Sequence, residues 1–220
     1  MTLPSFETVI CGACGRVFSH TGISSTNIMG SCDLDTRPPE MARSTLFAQV
    51  QRCPSCGYCA GEAKEFDERY RAVIEGEAYQ RQLRAAHCPE LASSFICAGL
   101  LRESVSEHRQ AGWLFLSAAW VCDDNQHTEL ARHWRSRAAD QFIAAIAQGE
   151  SLGEQAGASE TLVVDCLRRA GRFGKALELI GYAERGECDP KLRKILAYQR
   201  VLLERGDTAC HTAAEALSGR

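Results

Sequence analysis

Two short clips, Cys11-Gly12-Ala13-Cys14-Gly15 and Cys53-Pro54-Ser55-Cys56-Gly57, hold the residues best suited to chemistry in this chain. Four thiolates in two Cys-x-x-Cys clips can close a tetrahedral shell around one zinc ion, at Zn–S distances of about 2.3 Å. The two-residue spacing lets both sulfurs of a clip face one point. A glycine after each second cysteine permits a turn with positive φ, which aims backbone N–H groups at the sulfurs. A lone Cys-x-x-Cys also suits redox chemistry, whereas two that share the same following glycine point to metal. The expected ligands are therefore Cys11, Cys14, Cys53 and Cys56, and the expected ion is Zn2+. Its expected role is structural, because four thiolates leave no open position for substrate or water.

The chain has 12 cysteines, so eight lie outside that set. Cys97, Cys122 and Cys166 fall on apolar helical stripes, where a free thiol behaves as a small hydrophobe. Cys32 and Cys59 are candidates for a spare or substitute ligand. Cys59 also makes an overlapping Cys-x-x-Cys with Cys56, and a thiol beside a metal centre can have a lowered pKa and react with oxidant. A redox-sensitive zinc switch is thus one alternative function. His20 follows the first clip and could approach the metal, but a lone loop histidine reads as solvated. His127, Glu129 and His133 do not form a set, since a six-residue spacing places the two histidines on different helix faces. The sequence shows no Ser/His/Asp order, Gly-rich phosphate loop or His-Glu-x-x-His motif, and the expectation is a protein without catalytic activity.

The elements that must position the clips differ along the chain. Residues 1–60 are rich in Gly and Pro, with β-suited runs at Thr8-Val9-Ile10 and Phe47–Gln51, each leading into a clip. That order (strand, clip, excursion, strand, clip) predicts a small β-rich zinc ribbon, or a treble-clef-like arrangement if a helix follows the second clip closely. The polar excursion from Ser24 to Ser44, with its Pro38-Pro39 stop, reads as a mobile surface loop. From Lys64 onward the apolar period is helical. Helices are expected after Pro89, from Trp113 to the polar turn Asp123-Asp124-Asn125, and from Leu130 to a stop at Gly149. A helical hairpin is expected across Leu162–Ile180 with Gly171 in its turn, and a last pair over Lys191–Glu204 and Thr208–Leu217. Leu167, Gly171, Phe173, Ala176, Ile180 and Ala183 give that hairpin a tetratricopeptide-like pattern. The expected fold is a zinc-ribbon domain over 1–60 and an all-α tetratricopeptide-like helical-hairpin domain over 61–220.

Cys11–Phe18, the Cys53-Pro54-Ser55-Cys56-Gly57-Tyr58 clip and Ala118-Ala119-Trp120 before Asp123-Asp124 together resemble a family of uncharacterised bacterial proteins, known as a domain of unknown function. The resemblance implies a four-Cys zinc ribbon followed by a repeat-type helical region, and it brings no activity. Gly12 departs from it, standing where a proline is usual, and so does Cys59, standing where a small apolar residue is usual.

Composition narrows the function classes. With 220 residues, 45% hydrophobic and 24% charged, the chain suits one or two soluble domains. A net charge of -3 supplies no global basic field for nucleic acid or anionic lipid. Residues 1–60 balance four arginines (Arg16, Arg37, Arg43, Arg52) against four acids (Glu7, Asp33, Asp35, Glu40), so a nucleic-acid-binding ribbon is a second, weaker alternative. The longest apolar stretch, Trp113–Cys122, is too short to span a membrane. The N-terminus lacks a basic n-region with an apolar h-region, and a cytoplasmic location is expected. The leading expectation is a non-catalytic zinc protein whose helical domain binds another protein.

Overall fold

A computed structural model of the chain describes residues 2–218. Strands β1 (Leu3–Ile10) and β2 (Val17–Ser25) pair antiparallel around the first clip, with Ile10 opposite Val17. The short strands β3 (Gln51–Arg52) and β4 (Cys59–Ala60) pair around the second. The Phe47–Gln51 run is only partly extended: Phe47 to Gln49 complete a 3-10 helix, Ala42–Gln49, and Gln51 alone enters a strand. Leu46 and Val50, four residues apart, both turn into the core, and the Thr45 hydroxyl donates back to the Ala42 carbonyl at 2.7 Å. Burial of Leu46 and the Thr45 hydroxyl bond within the 3-10 helix outweigh the β propensity of the run.

Nine α-helices follow among the described residues: α1 (Arg71–Glu75), α2 (Glu77–Leu83), α3 (Glu90–Ser104), α4 (His108–Asp124), α5 (Thr128–Ala147), α6 (Ala158–Arg169), α7 (Phe173–Ala183), α8 (Pro190–Glu204) and α9 (Ala213–Ser218). The turns at Gly149 and Gly171 have positive φ, as their places after helix ends require. Helix α8 starts where Asp189 caps the Lys191 and Leu192 amides, with Pro190 in its first turn. Helices α3 to α7 pack on their chain neighbours, and α8 lies across both α6 and α7. Helix α6 is buried along nearly its whole circumference and forms the centre of the array. One apolar core runs without a break from Val9 and Cys11 through Phe95, Phe115 and Phe142 to Leu203. No described helix is long and apolar enough to cross a membrane.

The excursion between the clips departs most from expectation. Residues 33–37 are not a solvated loop: Asp33, Leu34, Asp35 and Arg37 are all buried. The segment lies between the helices and the C-terminal residues 211–213. The Leu34 amide donates to the His211 carbonyl at 2.8 Å, and the Ala213 amide to the Cys32 carbonyl at 2.9 Å. Leu34 joins Ile195, Leu202 and Ala216 in a second small core. Asp35 itself is 0% exposed. One of its carboxylate oxygens receives the Trp120 indole N–H at 3.0 Å, Arg135 at 3.1 Å and Arg169 at 2.9 Å. Arg135 and Arg169 also share Asp123, at 2.6 and 2.8 Å, and Arg37 pairs with Asp124. Burial alone would raise the Asp35 carboxyl, but the Arg135 and Arg169 guanidiniums and the Trp120 N–H hold it down to about 2.

Candidate metal centre

The two clips share one local geometry. In the first, the Gly15 amide donates to the Cys11 carbonyl at 2.8 Å and the Cys11 amide to the Arg16 carbonyl at 2.9 Å. In the second, Gly57 donates to Cys53 at 3.0 Å and Cys53 to Tyr58 at 2.8 Å. Gly15 and Gly57 sit at φ +72 and +75, the left-handed turn that a glycine accepts without strain.

The four sulfurs converge. Cys11, Cys14, Cys53 and Cys56 place their Sγ atoms within 4.8 Å of one another, with Cys11–Cys56 at 3.7 Å and Cys14–Cys53 at 3.6 Å. A tetrahedron with about 2.3 Å metal–sulfur bonds has edges of about 3.8 Å, so the cluster has the size that a zinc ion needs. These separations are far beyond a disulfide bond of about 2.05 Å, and the thiols are free. The four thiols expected from the clips are thus brought together and could hold a metal ion. The backbone supports a charged sulfur: burial opposes the Cys53 thiolate, but the Cys56 and Ser55 amides bring its pKa down to about 7. Burial pushes Cys11 and Cys56 the other way, as expected when four thiols crowd together without a cation.

The surroundings of the clips differ. Cys11 and Cys53 are buried, Cys56 is half-buried and Cys14 faces solvent. The first clip is tied to the segment after the second at Gly12, whose amide donates to the Ala63 carbonyl at 2.8 Å. A Cβ there would meet the Lys64 carbonyl oxygen at 2.6 Å and the Phe66 Cβ at 2.8 Å. Gly12 in place of a proline therefore has a physical reason, because a proline would lose the hydrogen bond and collide with this segment. The second clip is braced by α2: Tyr79 donates its hydroxyl to the Gly57 carbonyl at 2.9 Å and receives the Cys59 amide at 3.2 Å.

None of the other suspected ligands is part of the four-sulfur cluster. His20 turns its Nε2 toward the Ala48 carbonyl at 3.4 Å. Cys32 is exposed on the excursion. Cys59 is 0% exposed; its thiol donates to the Gly57 carbonyl at 3.3 Å, and the neighbouring Cys97 thiol, against the effect of burial, lowers its pKa. That placement puts Cys59 out of reach of solvent oxidants. Cys97, Cys122 and Cys166 are core residues, as their helical stripes suggested. The acids and arginines around Asp35 were invisible as a set, since Arg135 and Arg169 lie 100 and 134 residues from it. The one sequence signal was Arg168-Arg169, two full charges directly after the apolar run Leu162–Leu167 that Asp165 alone interrupts. No family model, curated protein or solved structure matches this chain. The bacterial resemblance therefore rests on its motifs alone.

Proposed function

We propose that this chain is a non-catalytic zinc protein, in which the metal fastens the N-terminal hairpins to a tetratricopeptide-like helical body and the assembled surface recognises another protein. The observation that carries the reading is the closed shell of four thiols at zinc-sized separations, which leaves no coordination position for a reacting water. A structural zinc of this kind contributes on the order of 10 kcal/mol to folding. Two paired hairpins of this size bury too little apolar surface to be stable without such a tie.

The surface for recognition is better sought on the first hairpin than on the helices. The helical face formed by Trp120, Arg135 and Arg169 is covered by the chain's own residues 33–37. On the hairpin, Phe6, Ile10 and Val17 share one side by strand alternation and remain 80%, 60% and 56% exposed. Isolated exposed apolar residues are ordinary, but three on one side of a two-stranded sheet mark a contact surface.

Elemental analysis of the purified chain should give one zinc, which Cys14→Ser loses. Retention of full zinc by that variant would refute the four-thiol site. A photo-crosslinking amino acid at position 6 should give a discrete protein adduct in cells. The same probe at the exposed Tyr182 should not, and a blank at position 6 would remove the recognition surface from this hairpin.

A further inference from the structure

We propose that the free edge of β1 pairs with the same edge of a second copy of this chain, antiparallel and two-fold about Thr8, which joins two hairpins into one four-stranded sheet. This deepens the recognition proposed above for the first hairpin and rests on that reading, because it names the partner. The phase of the β1–β2 ladder exposes the edge. The Cys11 amide donates to the Arg16 carbonyl at 2.9 Å, so in the observed register Cys11, Val9, Glu7 and Ser5 turn their backbone groups toward β2. Phe6, Thr8 and Ile10 turn theirs outward, where no described residue pairs with them. Strand β2 is the guarded one, since it packs against the 3-10 helix. An open edge of this kind is a template for another strand.

Two features specify a copy of the chain rather than an unrelated strand. The first is the extent of the open edge. On one side it ends at Pro4, which has no N–H, and on the other at Gly12, whose amide already donates to the Ala63 carbonyl at 2.8 Å. Both stops lie four residues from Thr8. An antiparallel copy centred on Thr8 therefore sets stop against stop, with Pro4 of one opposite Gly12 of the other. Between the stops, Thr8 falls opposite Thr8, and Phe6 of each copy falls opposite Ile10 of the other. These are pairs in which both residues exchange N–H and C=O bonds, so every outward group from Phe6 to Ile10 is used.

The second is the set of side chains that this register brings together. Phe6, Thr8 and Ile10 are all exposed and share one face by strand alternation. Pairing sets the Phe6 ring across from a β-branched isoleucine and threonine across from threonine, both of them stabilising cross-strand pairs. Charge agrees. Glu7 is the one charged residue of β1, and in this register it faces Val9 of the other copy, so no like charges meet. A lone two-stranded hairpin is marginal in water, and the joined sheet gains the strands that a stable sheet with one apolar face needs.

The test is sedimentation equilibrium of the full-length chain as purified. The mass should rise toward two chains between micromolar and submillimolar concentrations, as suits a small interface. Thr8→Lys sets like charges across the two-fold axis and should keep the chain monomeric, and Thr8→Glu should do the same. Mixed in equal amounts, the two variants should dimerise again. The Thr8 side chain is exposed, so both variants keep the fold, which circular dichroism checks. A wild type that stays monomeric at submillimolar concentration would overturn the pairing. So would a dimer that Thr8→Lys leaves intact, or one that the mixture does not restore. If the wild type is monomeric while the crosslinker at position 6 captures a different protein in cells, self-pairing fails and recognition by the hairpin stands. If the wild type is monomeric and position 6 gives no adduct, both fall.

Discussion

The N-terminal sixty residues are held by two clamps of opposite kinds. At one end, four thiols from two local clips meet in a cluster suited to a metal ion. In the middle, Asp35 reaches into the helices and is gripped by Trp120, Arg135 and Arg169. On the function proposed above, the first clamp is made by an added ion, and its strength can be removed in solution. The second is made from the chain's own charges. A buried ion pair can return little net stability beyond the cost of desolvating it, but it punishes any mismatch severely. We infer that the metal supplies stability to the hairpins and that the Asp35 cluster supplies register, fixing where the excursion docks.

Chelation at neutral pH should separate the two with the largest effect. Removing zinc should cost on the order of 10 kcal/mol of local stability. Hydrogen exchange should rise sharply in β1 and β2, less in β3 and β4, and little in α4 to α6. Equal deprotection of α5 and the first hairpin would show that the two clamps are one cooperative unit.

Asp35→Asn should come next, at about 3–5 kcal/mol, because it leaves Arg135 and Arg169 to share Asp123 alone. Zinc content should stay at one per chain, while the segment around residues 33–37 loses exchange protection. The acid response carries the same signature. The folded-state value of Asp35 is depressed, to about 2, so its contribution is present above the ordinary carboxylate range of about 4 and is lost as pH falls through 2. A stability–pH curve of the metal-free chain should therefore drop across that window, and Asp35→Asn should flatten the drop. An unchanged slope would mean that other carboxylates carry the acid sensitivity.

The difference between the clamps also explains what could be read from the sequence. The thiol cluster was legible because each half is local: two residues between cysteines, then a glycine, and the same chemistry twice. Helix ends were legible where Gly149, Gly171 or Pro89 supplied a backbone reason. The docking of residues 33–37 was not, since its polar composition and Pro38-Pro39 look the same in a solvated loop and in one whose charges meet partners more than 80 residues away. The strand expected at Phe47–Gln51 failed for a related reason: the burial of Thr45 and Leu46 on one turn of the 3-10 helix mattered only once there was a core to turn toward.

Within the metal clamp, a smaller contrast tests how far the helices share its work. Gly15 and Gly57 have nearly the same φ, so an alanine at either pays the same backbone strain, about 1 kcal/mol. Their surroundings differ: a Cβ on Gly15 meets nothing within 4 Å, whereas one on Gly57 overlaps the Leu83 side chain of α2. Gly57→Ala should therefore cost about 2–3 kcal/mol, the extra coming from displaced Leu83 packing. Urea unfolding of the zinc-loaded variants checks the pair. If the two glycines prove equal, α2 yields freely and the second clip is held by its metal as completely as the first. If Gly57→Ala is the worse and Leu83→Ala relieves it, the brace from α2 is rigid, and the second clip is the pre-formed half onto which the ion draws the first.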